Sequence, residues 1–341
     1  MTPQRLVVVL GALAALVLAC GVAALATGPS GLAPGEALAA LHGPGAVPGA
    51  PDPVGDIVWR IRLPRVLLAA LVGAALATSG VLFQALLRNP LADPFVLGVS
   101  GGAALGGILV LGLGASFGLG ASAVPLAAFA GAVCTTFLLF GVAGGRGRLS
   151  STSLLLTGVV FNAIASAAII FVASIAGLTE GTSIFLWLIG SLSSASEDVI
   201  GVVALFVVVG LACVWPLARR LDLLSLGEES AAQLGVDVEW LKRALLAATS
   251  LLVGAAVAVS GLIGFVGLII PHLLRLVLGP DHRLLVPAAA LGGAAFLIVC
   301  DTVARSVLGG RELPVGAITA LAGGPLFLLL LRRAQTRATL P

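Results

Sequence analysis

The sequence predicts an all-α protein that crosses a membrane about ten times, and three observations predict it. Of 341 residues, 59% are hydrophobic and 10% charged, with a mean hydropathy of +1.18; a soluble domain carries about 25% charged residues. The apolar residues gather into runs near 20 residues long, the length at which a helix spans roughly 30 Å of hydrocarbon. The charges fall between the runs, as expected where backbone polar groups can be satisfied only inside a helix.

In order, the spans read as 5–27, 64–86, 95–114, 122–143, 152–176, 197–216, 243–260, 262–279, 285–304 and 314–331. The first run is too long for the apolar segment of a secretory signal and reads as an uncleaved helix. The chain is one transmembrane domain, 1–341, in two five-helix halves of about 1–180 and 181–341. Val72–Gly80 reads VGAALATSG and Val253–Gly261 reads VGAAVAVSG, identical at seven of nine positions. Five spans separate the copies, so they cross in opposite directions, the signature of an inverted repeat with a pathway near its interface.

An even span count puts both termini on one side. With them inside, 13 Arg and Lys residues lie inside and 5 outside, which the positive-inside rule selects. The outer five are Arg60, Arg62, Arg65, Arg305 and Arg311. Charges that oppose the trend suit a basic patch that steers an acidic partner; the competing reading is interfacial anchoring, with Asp301 and Arg305 paired at i,i+4.

The outer loop 28–60 is rich in Pro and Gly, with a short surface helix predicted at 34–41. The polar break 84–94 holds Asn89, Pro90, Asp93 and Pro94, residues suited to turns, and the inner loop 144–153 is small and polar. Irregular backbone at membrane depth is tolerated where it lines a cavity, so both are expected to border an inner gate. The segment 217–242 is the one sizeable amphipathic insertion on the inner face and predicts two short helices around Gly227 and Gly235. It reads either as a solvated loop or as a docking element for a partner's groove.

The sole lysine, Lys242, follows Leu241. There is therefore no Gly-Lys-Ser/Thr to reach the phosphates of a bound nucleotide, and no catalytic residue or metal site is assigned. Cys20, Cys134, Cys213 and Cys300 lie in apolar runs without metal or redox spacing and read as small hydrophobes. Ionisable residues deep in the spans are scarce, which argues against an ion-coupled secondary carrier.

Several motifs together are highly specific: RLPR at 62–65, NPLADP at 89–94 followed by LGVSGGA, the run from Leu226-Gly227 to Leu234-Gly235-Val236, GFVGLIIPH at 264–272, GPDHR at 279–283 and ELPVG at 312–316. The chain resembles the FecCD-type permeases of bacterial importers for iron-siderophores, haem and vitamin B12. The resemblance implies a non-enzymatic permease subunit in the bacterial cytoplasmic (inner) membrane that carries an iron-siderophore or similar chelate, with haem or cobalamin as alternatives. It implies a second permease subunit (a homodimer by default), two cytoplasmic P-loop ATPase subunits that hold ATP and Mg, and an extracytoplasmic substrate-binding protein. No cofactor is expected in this chain, and no nucleic acid. Arg62, Arg65 and Arg305 match positions that dock the binding protein. Leu224, Leu226, Gly227, Glu228, Ser230, Ala231, Leu234 and Gly235 match the segment that couples to the ATPase. Asn89, Leu91, Thr152 and Ser153 match positions near the cytoplasmic gate.

Overall fold

The computed structural model describes residues 2–42, 52–144, 150–177, 188–192, 197–308 and 312–338. Ten helices carry the apolar runs: α1 Pro3–Ala26, α2 Leu63–Leu87, α3 Val99–Leu113, α4 Val124–Ala143, α5 Ser151–Ile175, α6 Glu197–Val214, α7 Val238–Ser260, α8 Val266–Leu278, α9 His282–Ser306 and α10 Val315–Ala338. No strand occurs among the described residues. Arg311, Arg146, Arg148 and the stretches 43–51 and 145–149 of the two predicted loops lie outside the described residues.

Polar residues between the apolar runs supply the helix starts. Thr2, Ser150, Asp237 and Asp281 accept the backbone N–H of Arg5, Ser153, Trp240 and Arg283 at 3.4, 3.3, 3.0 and 3.0 Å, satisfying donors that a first helical turn leaves unpaired. The surface helix expected at 34–41 forms as Pro34–Ala39, followed by a single turn over Ala40–His42.

Two helices start later than expected. The third apolar run becomes helical only at Val99, and the eighth only at Val266. At about 1.5 Å per residue, the 13 residues of α8 rise roughly 20 Å, short of a full crossing. The backbone ahead of each is irregular: Pro94–Leu97 forms one tight turn closed by Gly98, and Phe265 has a left-handed φ of 68°. The second helix, by contrast, runs past Gln84 to Leu87, so the polar break starts at Arg88 and not at Gln84.

The core is built around α2, which is buried along nearly its whole length. It packs chiefly on α9 and α7, while α7 packs on α4. The two helices that carry the repeated nonapeptide thus each lean on a helix from the other half. Glycines set the approach. The backbones of Gly73 on α2 and Gly293 on α9 face each other so closely that a Cβ on either would enter the other's carbonyl. A Cβ on Gly80 would likewise enter the Gly267 carbonyl at the start of α8, and one on Gly267 would press on the Leu76 carbonyl. Close approach of small residues supplies dispersion contact where lipid gives helices no hydrophobic drive to associate. Of the four cysteines expected as small buried hydrophobes, Cys300 is buried and Cys20 half-buried, while Cys134 on α4 and Cys213 on α6 are exposed on the outside of the bundle.

Candidate functional site

Three polar constellations stand out, one at the end of the bundle where α2 begins and two at the end where it finishes.

At the first end, Arg65 is clamped between two carboxylates. Its Nε donates to Asp301 Oδ1 and Oδ2 at 2.9 and 3.1 Å, and its Nη1 to Glu312 Oε1 and Oε2 at 2.8 and 2.9 Å. Arg305 lies 3.5 Å from Asp301 Oδ2 and donates through Nη2 to the Ala24 carbonyl. Arg62 donates to the Leu25 carbonyl and to Ser30 Oγ, both at 2.6 Å. The three arginines expected to form an exposed basic patch are therefore together but buried. Burying a guanidinium is costly unless it is paired, so two acids come with them and cancel most of their field. Glu312, with 46% of its side chain exposed, is the part of this network most open to solvent. Arg60 lies apart, in an exposed i,i+4 pair with Asp56.

At the opposite end, the turn after α2 is held from several directions. Arg88 closes α2 in a left-handed conformation, φ 50°. Asn89 Oδ1 accepts from the Leu91 N–H at 3.0 Å, and Asp93 Oδ1 from Phe95 N–H at 2.9 Å. Gln84 is buried and its Nε2 reaches the carbonyls of Ala92, Gly267 and Leu268, all at 3.4 Å. One side chain thus joins the turn after α2 to the first turn of α8. Asn162 on α5 donates to the Phe95 carbonyl at 2.8 Å. Ser151 Oγ donates to the Leu86 carbonyl at 3.4 Å, which brings the start of α5, with exposed Thr152 and Ser153, beside the turn that carries Asn89 and Leu91.

Burial raises the Asp93 carboxyl to about 6, against which the Phe95 N–H pulls. An ordinary aspartate titrates near 3.8. Between roughly pH 4 and 6 the folded chain therefore holds a proton that the unfolded chain releases, so this contribution to stability is complete below 4 and lost as pH rises through 6. Asp93→Asn keeps the turn cap and removes the titration. The wild-type loss between pH 4 and 7, up to about 3 kcal/mol at 1.36 kcal/mol per unit, is expected to shrink in the variant when unfolding midpoints are compared at the two pH values.

The third constellation is the segment between α6 and α7. It folds as two short helices, Ala218–Ser225 and Glu228–Gln233, as expected. Gly227, φ 121°, and Gly235, φ 83°, flank the second helix in backbone conformations that side chains with a Cβ avoid. Four contacts fix the segment to the bundle. Asp222 Oδ1 accepts from the His282 backbone N–H at 2.9 Å and lies 2.6 Å from its Nδ1. The Arg220 guanidinium stacks 5.5 Å from the Trp240 ring centre. Glu228 pairs with Lys242 at 2.6 Å and with Arg88 at 3.8 Å. The Lys242 side chain is only 2% exposed.

Of the eight residues expected to meet a partner here, Leu224 and Ala231 are fully buried and serve as inward anchors. Leu226 and Leu234 are 65% and 59% exposed and supply the outward apolar surface. A cavity of about 840 Å³ opens beside them, lined by Arg88, Gly227, Glu228, Ser230 and Asp237 among others. Sequence reasoning named Glu228 but did not single out Gln84 or Asn162, nor the pairing of Glu228 with Lys242 and Arg88. The partners of Gln84 and Asn162, and Arg88, lie far off in the chain, and no local spacing marks them. The one available signal was Lys242 itself, the only lysine, placed next to a membrane span.

Comparison with known proteins gives the same outline. Residues 16–333 match the FecCD transport family. The chain is 45% identical over 290 residues to the cobalamin import system permease protein BtuC of Halobacterium salinarum, covering 85% of this chain and 77% of the relative. It is 44% identical over 293 residues to the hemin transport system permease protein HmuU of Yersinia pestis, covering 83% and 86%. A solved inward-facing structure assigned to the metal-chelate type of ABC transporter superposes with a TM-score of 0.83 at 32% identity, covering 97% of this chain and all of that one.

Proposed function

The chain belongs to the FecCD transport family, and on that premise we propose that it is the path-forming subunit of an ATP-driven importer for a bulky metal chelate. The observation that carries the reading is the superposition of nearly the whole chain on an ABC transporter. The relatives are named for cobalamin and hemin; iron-siderophores complete the same chemical class, and all three are candidate cargoes. The permease acts with a second copy of itself, with two ATPase subunits that bind ATP and Mg, and with an external binding protein. It sits in the cytoplasmic (inner) membrane with both termini inside, the orientation that the arginine and lysine distribution favours.

The roles of the residues follow from their surroundings. Exposed Leu226 and Leu234, presented by a segment pinned through Asp222 and Glu228, offer an apolar seat for the ATPase. Glu228 joins that seat through Arg88 to the turn of Asn89 and Leu91, so a displacement of the seat is felt at the gate formed with Thr152 and Ser153. At the other end the Arg62, Arg65 and Arg305 network meets the binding protein. Its carboxylates compete with Glu312 for Arg65, which makes docking an exchange of partners and not the capture of a free patch. No buried carboxylate is left without an arginine to act as an ion-coupling site among the described residues of the spans.

Reconstitution tests the proposal. Proteoliposomes containing the permease, its ATPase and its binding protein are expected to accumulate hemin, cyanocobalamin or a ferric siderophore only when ATP is present. Accumulation driven by a proton or sodium gradient without ATP would replace the importer with a secondary carrier.

A further inference from the structure

We propose that the chain carries a binding site for an anionic phospholipid between the start of α1, the end of α6 and the start of α9. A cavity of about 500 Å³ lies there. Its apolar wall includes Pro3 and Leu6 of α1 and Pro216; its polar wall is made by Arg219 and Arg283, with Trp215 between.

The site is independent of the transport reading and rests on three features. The first is depth. Three membrane-spanning helices begin or end around the cavity, at Pro3, Val214 and His282, so it lies at the boundary between hydrocarbon and headgroups. Trp215 is half exposed and its indole N–H donates to the Arg283 carbonyl at 3.0 Å, an amphipathic ring placed where such rings collect.

The second is charge. Arg219 is exposed and has no carboxylate partner among the described residues. Arg283 pairs with Asp281 at 2.6 Å, and Asp222 is engaged by His282. Arg5, next to the cavity on α1, donates to the Leu278 carbonyl at 2.7 Å. Its guanidinium and the adjacent Arg220 also meet no carboxylate among the described residues. The surroundings therefore hold an excess of positive charge, and basic pockets between membrane helices favour anionic headgroups.

The third is shape. A headgroup phosphate between Arg219 and Arg283 leaves the acyl chains to pass Leu6 and follow α1, whose Val7 and Val8 are exposed. A small soluble anion would use the two arginines and leave the apolar wall uncovered.

The test uses the whole permease, stripped of lipid in detergent and then exposed to micelles with equal phosphatidylglycerol and phosphatidylethanolamine. Retained lipid is counted by mass spectrometry after gel filtration. The wild type is expected to retain phosphatidylglycerol at least fivefold over phosphatidylethanolamine. Arg219→Glu is expected to abolish that preference. Leu6→Trp, which fills the cavity and leaves the arginines in place, is expected to lower phosphatidylglycerol retention severalfold at an unchanged elution volume. Equal retention of the two lipids by the wild type overturns the site, as does retention that neither variant changes. Complete displacement of the lipid by inorganic phosphate at tens of millimolar overturns it in favour of a simple anion site.

Discussion

Asp301→Ala is expected to destabilise the permease by about 3–5 kcal/mol, the cost of removing one partner from a buried ion pair. Asp301 is 1% exposed and faces Arg65 and Arg305. Without it Arg65 keeps only Glu312, which is half in solvent, and Arg305 keeps only a carbonyl. The desolvation already spent on two guanidinium groups is then uncompensated. Arg65→Met combined with Asp301→Leu removes the charges together and is expected to cost less than the sum of the single changes. Thermal unfolding in detergent, followed by tryptophan fluorescence, reads both. A single variant within about 1 kcal/mol of wild type would show that water reaches the network freely, against the general cost of a stranded charge.

Gly80→Val is expected to prevent assembly of the bundle. A Cβ at Gly80 would occupy the space of the Gly267 carbonyl, and both groups are backbone held in helices. Overpacking against side chains costs about 1–3 kcal/mol because they can move; here α8 as a whole must retreat from α2. The Gly267 carbonyl also accepts from Gln84, so the retreat breaks the link between the turn after α2 and the start of α8. Gly141→Ala is the matched control. It too lies in a helix, but open space surrounds its missing Cβ, and its effect is expected to stay within about 0.5 kcal/mol. Yield of monodisperse protein by gel filtration separates the two. Wild-type yield for Gly80→Val would mean that α2 and α8 do not touch in the membrane.

What could be read from the sequence follows the range of the underlying forces. Helix number and rough limits are local: an apolar run either reaches the length of a crossing or does not, and all ten runs became helices. The late starts of α3 and α8 were less visible, because Pro94–Leu97 and Leu262–Phe265 are apolar by composition and irregular by packing. The two short helices between α6 and α7 were legible from the segment's charge and its two glycines. The burial of Arg62, Arg65 and Arg305 was not. The acidic partners of Arg65, Asp301 and Glu312, lie more than 200 positions away; the i,i+4 spacing of Asp301 and Arg305 was legible, but a charge pattern along the chain does not say that Arg65 joins them. Similarly, Leu224 and Leu226 share one segment, yet one is buried and the other exposed, because the first lies within the helix Ala218–Ser225 and the second just past its end.

The sealed Lys242 has a practical consequence for anyone mapping the assembly. To reagents that attack amines, the chain offers a single side-chain target. That target is 2% exposed and its Nζ lies 2.6 Å from Glu228. Amine-to-amine cross-linkers therefore find no accessible side chain on this subunit, so the lack of a lysine cross-link to it carries no information about contact. Thiol chemistry works in the opposite sense. Cys213, exposed near the end of α6, lies at the edge of its span within reach of a maleimide, whereas Cys134 is exposed midway along α4, where the surface of the bundle meets hydrocarbon and not water.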